Sequence, residues 1–113
     1  MLGRVSRGGV AADRLGGLRG DVASLVKAVL EGEGATSVEA RQAAFAGRCD
    51  DRAVAAYLHL VRKHAYRVTD EDVEDLRAGG LDDDAIFELT VAAALGAGVA
   101  RLQVGLELLG GER

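Results

Sequence analysis

The sequence predicts an all-α domain of about five helices, because apolar residues recur at spacings of three and four in successive segments. Two further observations agree. Asp, Ser and Thr stand just before those segments and glycines just after them, as helix starts and stops require. No stretch shows the alternation or the β-branched runs of a strand, and the 113 residues include no proline to break a helix. A chain of this length suits one domain.

Residues 1–20 are rich in glycine and arginine and have little periodicity. They read as a flexible arm with a turn near Ala11–Leu15, ahead of a single helical domain over residues 21–113. Asp21 is the expected N-cap of the first helix, with Val22, Leu25, Val26 and Val29 as its inward stripe. The glycines of "EGEG" at 31–34 end it. Ser37 caps a second, short helix to about Gly47, with Val38, Ala40, Ala44 and Phe45 facing inward. Asp50 or Asp51 opens the third. Its stripe is Val54, Tyr57, Leu58, Val61 and Ala65, and Arg52, His59, Arg62 and Lys63 take the opposite, solvated face.

The strongest start signal is "TDED" at 69–72, where Thr69 accepts the amide of residue 72 and the acids suit the helix dipole. Val73 and Leu76 point inward, and Gly79 and Gly80 stop the helix. Leu81 then leads into a last helix, capped by Asp82 or Asp83 and continuing towards Leu109. These last two helices are expected to form a hairpin.

The last helix is apolar nearly all the way round between Val91 and Ala100. Such a helix is expected to be covered on several sides. Ala94, Gly98, Arg101, Leu102 and Gly105 lie near one another on its surface, and small residues at such spacing allow close helix approach. With 49% hydrophobic but only 4% aromatic residues, the core gains little area per side chain. Homo-oligomerisation through this helix is the expected compensation. Its charge-free run "LTVAAALGAGVA" has 12 residues, too few to cross a bilayer, so no membrane partner is expected.

The net charge of −4 argues against nucleic acid as a partner, since duplex binding relies on Lys and Arg neutralising phosphates. Arg4, Arg7, Arg14 and Arg19 outnumber Asp13 in the arm, which reads best as a solvated tail. The single cysteine, Cys49, allows no internal disulfide and suits a reducing cytoplasm, and the first residues lack a signal-peptide run. Cys49 also has no resolving partner, and Asp50 and Asp51 oppose thiolate formation beside it. His59 and His64 are five apart and do not share a helix face, so no metal site is expected. "TDEDVED" and "LDDD" lack calcium-loop spacing and read as helix caps. "GGVAADRLGG" lacks the ending of a phosphate loop. Tyr57 and Tyr66 read first as core tyrosines with one hydroxyl satisfied. Arg101 needs a partner if buried, for which Glu88 or an acid of another subunit is the candidate.

From Ala65 onward, "LRAGGLDDDAIFELTVAAALGAG" and its approach resemble the alkylhydroperoxidase D-like and carboxymuconolactone decarboxylase-like superfamily, with Gly80, Ile86 and Glu88 in matching places. Peroxidase members carry Cys-x-x-Cys and, after three residues, His. Here Ala65 and Val68 stand at the cysteine positions, Asp72 at the histidine position, and Ala53 near the place of the assisting glutamate. The resemblance implies a small helical bundle that assembles through helical hairpins. It carries over no thiol peroxidase activity, since a thiolate must attack the peroxide and a second thiol must resolve the sulfenic acid.

Two function classes follow. One is a non-redox oligomeric protein, without cofactor, that binds a small apolar molecule or a partner's helix. The other is a cofactor-free general acid–base enzyme like the decarboxylase-like relatives, with His64, Tyr66 and Asp72 as its catalytic residues. Convergence of those three in a closed pocket favours the enzyme; exposure of all three beside an apolar groove favours the binding protein.

Overall fold

The computed structural model describes residues 20–110. The arm expected over 1–20 lies outside them except for Gly20. Among the described residues the chain forms five α-helices: α1 (Gly20–Glu31), α2 (Val38–Phe45), α3 (Arg52–His64), α4 (Asp70–Ala78) and α5 (Asp83–Leu108). One turn of 3₁₀ helix, Ala65–Arg67, joins α3 to α4.

Four of the starts follow from side chains the sequence offers. Ser37 accepts the Ala40 amide, Asp51 that of Val54, and Asp82 that of Ala85. Thr69 and Asp72 form a full capping box, each side chain accepting the other's backbone amide. The α1 start differs from expectation. Gly20 is already helical, ahead of the Asp21 expected to open the helix. The α4 stop is a Schellman turn: Gly80 N–H donates to Arg77 C=O and Leu81 N–H to Leu76 C=O. Gly80 takes φ +109°, open to a residue without Cβ, and Leu81 packs onto the core.

α5 is the spine. α2 and α3 lie against it most closely, α1 crosses both α2 and α5, and α4 touches α3 and α5 lightly. The core draws Val54, Tyr57, Leu58 and Val61 from α3, Leu76 from α4, and Ile86, Ala92 and Ala93 from α5. Ala44, Ala92 and Ala93 are the best-buried residues, at 0–1% exposure, and among the described residues no large side chain is as deeply enclosed. The α3 stripe is as the spacing predicts, except that Ala65 leaves the helix and is exposed. In α1, Leu25 remains 54% exposed, because α1 is covered on one side only.

Close approach sets the α2–α5 contact. A Cβ at Gly96 would stand 1.9 Å from the Phe45 carbonyl oxygen, so only glycine lets the end of α2 rest on α5. Arg62 completes that junction. Its Nη1 donates to the Phe45 carbonyl at 2.9 Å and the Ala93 carbonyl at 3.1 Å. The solvated position expected for Arg62 is therefore incorrect: the Phe45 carbonyl, left without a partner at the end of α2, and the Ala93 carbonyl of α5 hold its guanidinium inward. Arg52, His59 and Lys63 are exposed as expected.

α5 departs from expectation on its outer side. Ile86, Ala92, Ala93, Gly96, Ala97 and Val99 are buried, but among the described residues nothing covers one side of this apolar helix. Phe87 is 68% exposed, Val104 56% and Leu108 83%. Four short helices cannot enclose 26 residues, about 39 Å of helix at 1.5 Å per residue. The described shape is correspondingly long, 50 × 28 × 22 Å. Asp83–Leu108 is also long and apolar enough to cross a membrane by length and composition, with 39% of its apolar window buried in the fold. The 12-residue charge-free run understates this, since apolar residues continue beyond Arg101.

Candidate functional site

Each predicted site residue takes its place from the α3–α4 connection. His64 ends α3, and the 3₁₀ turn swings Tyr66 outward to 80% exposure. The two rings meet edge to face, centroids 6.0 Å apart, and the Arg67 guanidinium lies 5.9 Å from the Tyr66 centroid. The core position first read for Tyr66 is thus incorrect: the 3₁₀ turn rotates it off the α3 stripe. Asp72 stands apart from this pair in function. Its Oδ2 accepts the Thr69 amide at 2.9 Å, closing the capping box. It also edges a groove of about 310 Å³ with His59, Tyr57 and Leu60, whose walls include neither His64 nor Tyr66. His64 and Tyr66 are brought together; Asp72 is spent on holding a helix start.

Tyr57 is the core tyrosine the sequence anticipates. Its hydroxyl lies 2.8 Å from Thr90 Oγ1, and Thr90 donates onward to the Ile86 carbonyl at 2.6 Å. Cys49 is a half-buried free thiol packed at the edge of the core. Among the described residues no group of three or more His, Cys, Asp and Glu side chains is placed to hold a metal ion.

The most densely bonded polar group is Glu88. Its Oε2 accepts the Ala35 amide at 2.7 Å, and its Oε1 accepts the Thr36 amide at 2.8 Å and the Thr36 hydroxyl at 2.6 Å. The carboxyl is held below the usual carboxylate range, first by the Thr36 hydroxyl, then by the Ala35 and Thr36 amides, with a smaller contribution from the Arg41 charge; partial burial opposes them. One acid on α5 thereby fixes the loop between α1 and α2. Arg41 backs the same loop from below. It is 4% exposed, and donates to the Val29 carbonyl at 2.9 Å and the Thr36 carbonyl at 3.3 Å, while its Nε has no partner.

This geometry corrects the pairing expected for Arg101. Glu88 is occupied by the loop, and Arg101, exposed on the far half of α5, donates to the Arg62 carbonyl at 2.6 Å. That bond closes the C-terminal end of α3. The burial of Arg41 went unread, although it lies three residues after Val38 and three before Ala44, on the inward face. Arg62 carried no such signal, because its acceptors come from two other helices.

Compared with protein-family models, with curated proteins and with solved structures, the chain finds no match in any of the three.

Proposed function

We propose that this chain is a non-redox helical protein that works as a homo-oligomer, with the outer face of α5 as its subunit contact. One observation carries the reading. Ala94, Gly98, Arg101 and Leu102 form an exposed strip on α5, and a Cβ added at Gly98 or Gly105 would meet nothing within 4 Å. The strip is continuous with exposed Val104 and Leu108. Contiguous apolar surface of this kind marks association, and small residues along it allow a second helix to approach its backbone. A second copy of α5 fits best, because apart from Arg101 the strip is uncharged and built of small and aliphatic side chains. The other apolar stripe, Val54, Leu58 and Val61, is consumed by the core.

Within this reading the fold is an alkylhydroperoxidase D-like bundle with Ala65 and Val68 in place of the thiols. A small apolar ligand would then lie between the paired helices of two subunits. The acid–base alternative draws less support. Asp72 would have to leave the Thr69 cap, and Tyr66 stands in solvent. Sedimentation of the full chain over a concentration series tests the proposal. A mass above that of the monomer, growing with concentration, is the expected result; a monomer throughout would overturn it.

A further inference from the structure

The chain has 18 Asp and Glu against 14 Lys and Arg, yet every charged side chain lining one cavity is basic. It measures about 250 Å³ and lies between the end of α2 and the outer face of α3. Arg48, His59, Arg62 and Lys63 line it beside Cys49, and no Asp or Glu does. The arrangement follows from local structure. His59, Arg62 and Lys63 are at positions i, i+3 and i+4 of α3, which share a helix face. Arg48 reaches them through the turn at Gly47, where its amide donates to the Ala43 carbonyl at 2.8 Å. Arg62 is locked by Nη1 to Phe45 and Ala93. The rest of its guanidinium, and the side chains of Arg48, His59 and Lys63, have no hydrogen-bond or ion-pair partner among the described residues.

We propose that this cavity binds a small phosphate-bearing molecule. Three permanent cations around one recess repel one another, and an oxyanion between them removes that cost while accepting charge-assisted hydrogen bonds. Arg62 supplies a fixed, planar donor; Arg48 and Lys63 supply charges that close on the ligand; His59 adds a ring N–H. The volume admits phosphate with a small organic group and little more. Asp50 and Asp51 lie outside the walls, on a neighbouring larger cavity that shares Arg48, and Asp51 is committed to the α3 cap. Arg62 and Lys63 also suit the C-terminal dipole of α3. That role requires no ligand, so it predicts no binding. This site is independent of the α5 contact.

Inorganic phosphate is the probe. Amide ¹H–¹⁵N spectra of the full chain are recorded during titration with sodium phosphate, with sodium chloride at matched ionic strength as control. Saturable shifts are expected at residues 46–49 and 59–63, absent with chloride. The double variant Arg48→Gln, Lys63→Gln should weaken the binding about tenfold or more, and should keep its fold because both side chains are exposed. Shifts that do not saturate, that chloride reproduces, or that survive in the double variant would overturn the proposal.

Discussion

Gly96 and Gly98 stand two residues apart on α5 and face different surroundings. Gly96 is buried under the end of α2, where an added Cβ would overlap the Phe45 carbonyl at 1.9 Å. Gly98 is exposed, with nothing within 4 Å of the same addition. The same residue type thus serves two ends. At Gly96 it is a requirement of the fold, since no larger residue lets α2 sit where Arg62 can bond its last carbonyl. At Gly98 the monomer makes no demand, and the helix would be stronger without a glycine. The difference teaches that apolarity all round a helix does not mean burial all round. Among the described residues, α5 has one side that is filled and one that is left open.

The comparison breaks most readily at Gly96. Gly→Ala inside a helix gains about 1 kcal/mol in propensity. Overlap with a backbone atom that cannot turn aside costs typically 1–3 kcal/mol, occasionally more. Gly96→Ala is therefore expected to lose up to about 2 kcal/mol net, and Gly98→Ala to gain up to about 1 kcal/mol, both read from urea unfolding at a concentration where the chain is monomeric. Equal effects of the two substitutions would erase the distinction between the faces.

A third side of α5 carries Glu88, and pH isolates it. The folded carboxyl titrates below its ordinary value, so its contribution is fully present above the unfolded carboxylate pKa of about 4.3 and is lost as pH falls through the lowered folded value. Glu88→Gln is expected to cost about 1 kcal/mol at pH 7, since the site is partly solvated and its charge screened. The difference from wild type should shrink as the pH of the unfolding series is lowered from 7 towards 3. A constant difference would show that the carboxylate charge does not hold the loop.

The smallest effects are expected at the predicted catalytic set and at the thiol. Tyr66→Phe removes a hydroxyl already in water, so stability should change by less than about 0.5 kcal/mol. Peroxide consumption with a dithiol reductant should stay at background in wild type and be unchanged in Cys49→Ser. Turnover abolished by that substitution would make Cys49 a reaction centre.

Much of the fold was legible because local rules suffice for it. Ser37, Asp51, Thr69 and Asp82 cap the helices as their side chains dictate, and the α3 stripe of Val54, Tyr57, Leu58 and Val61 is the buried one. The polar contacts were less so, because they depend on which helices meet. Arg62 reads as a surface arginine until α2 and α5 bring their carbonyls to it. Glu88 reads as the partner of Arg101, on the same helix, until the loop at Ala35 and Thr36 presents three donors to it. The candidate site shared that limit: His64 and Tyr66 are neighbours through the 3₁₀ turn, but Asp72 stands both among the catalytic candidates and in the "TDED" start signal, and a cap is what its carboxylate makes.

The outer face of α5 is tested most directly by filling it. Sedimentation of wild type and Gly98→Leu is compared over the same concentration series, with urea unfolding of the monomer as control. A leucine in a close helix contact overpacks it by roughly 1–3 kcal/mol per subunit. Dissociation of the oligomer should therefore shift to at least about tenfold higher concentration, while the monomer unfolds no more easily than wild type. An oligomer whose dissociation is unchanged by Gly98→Leu would contradict the account and remove this face from the assembly.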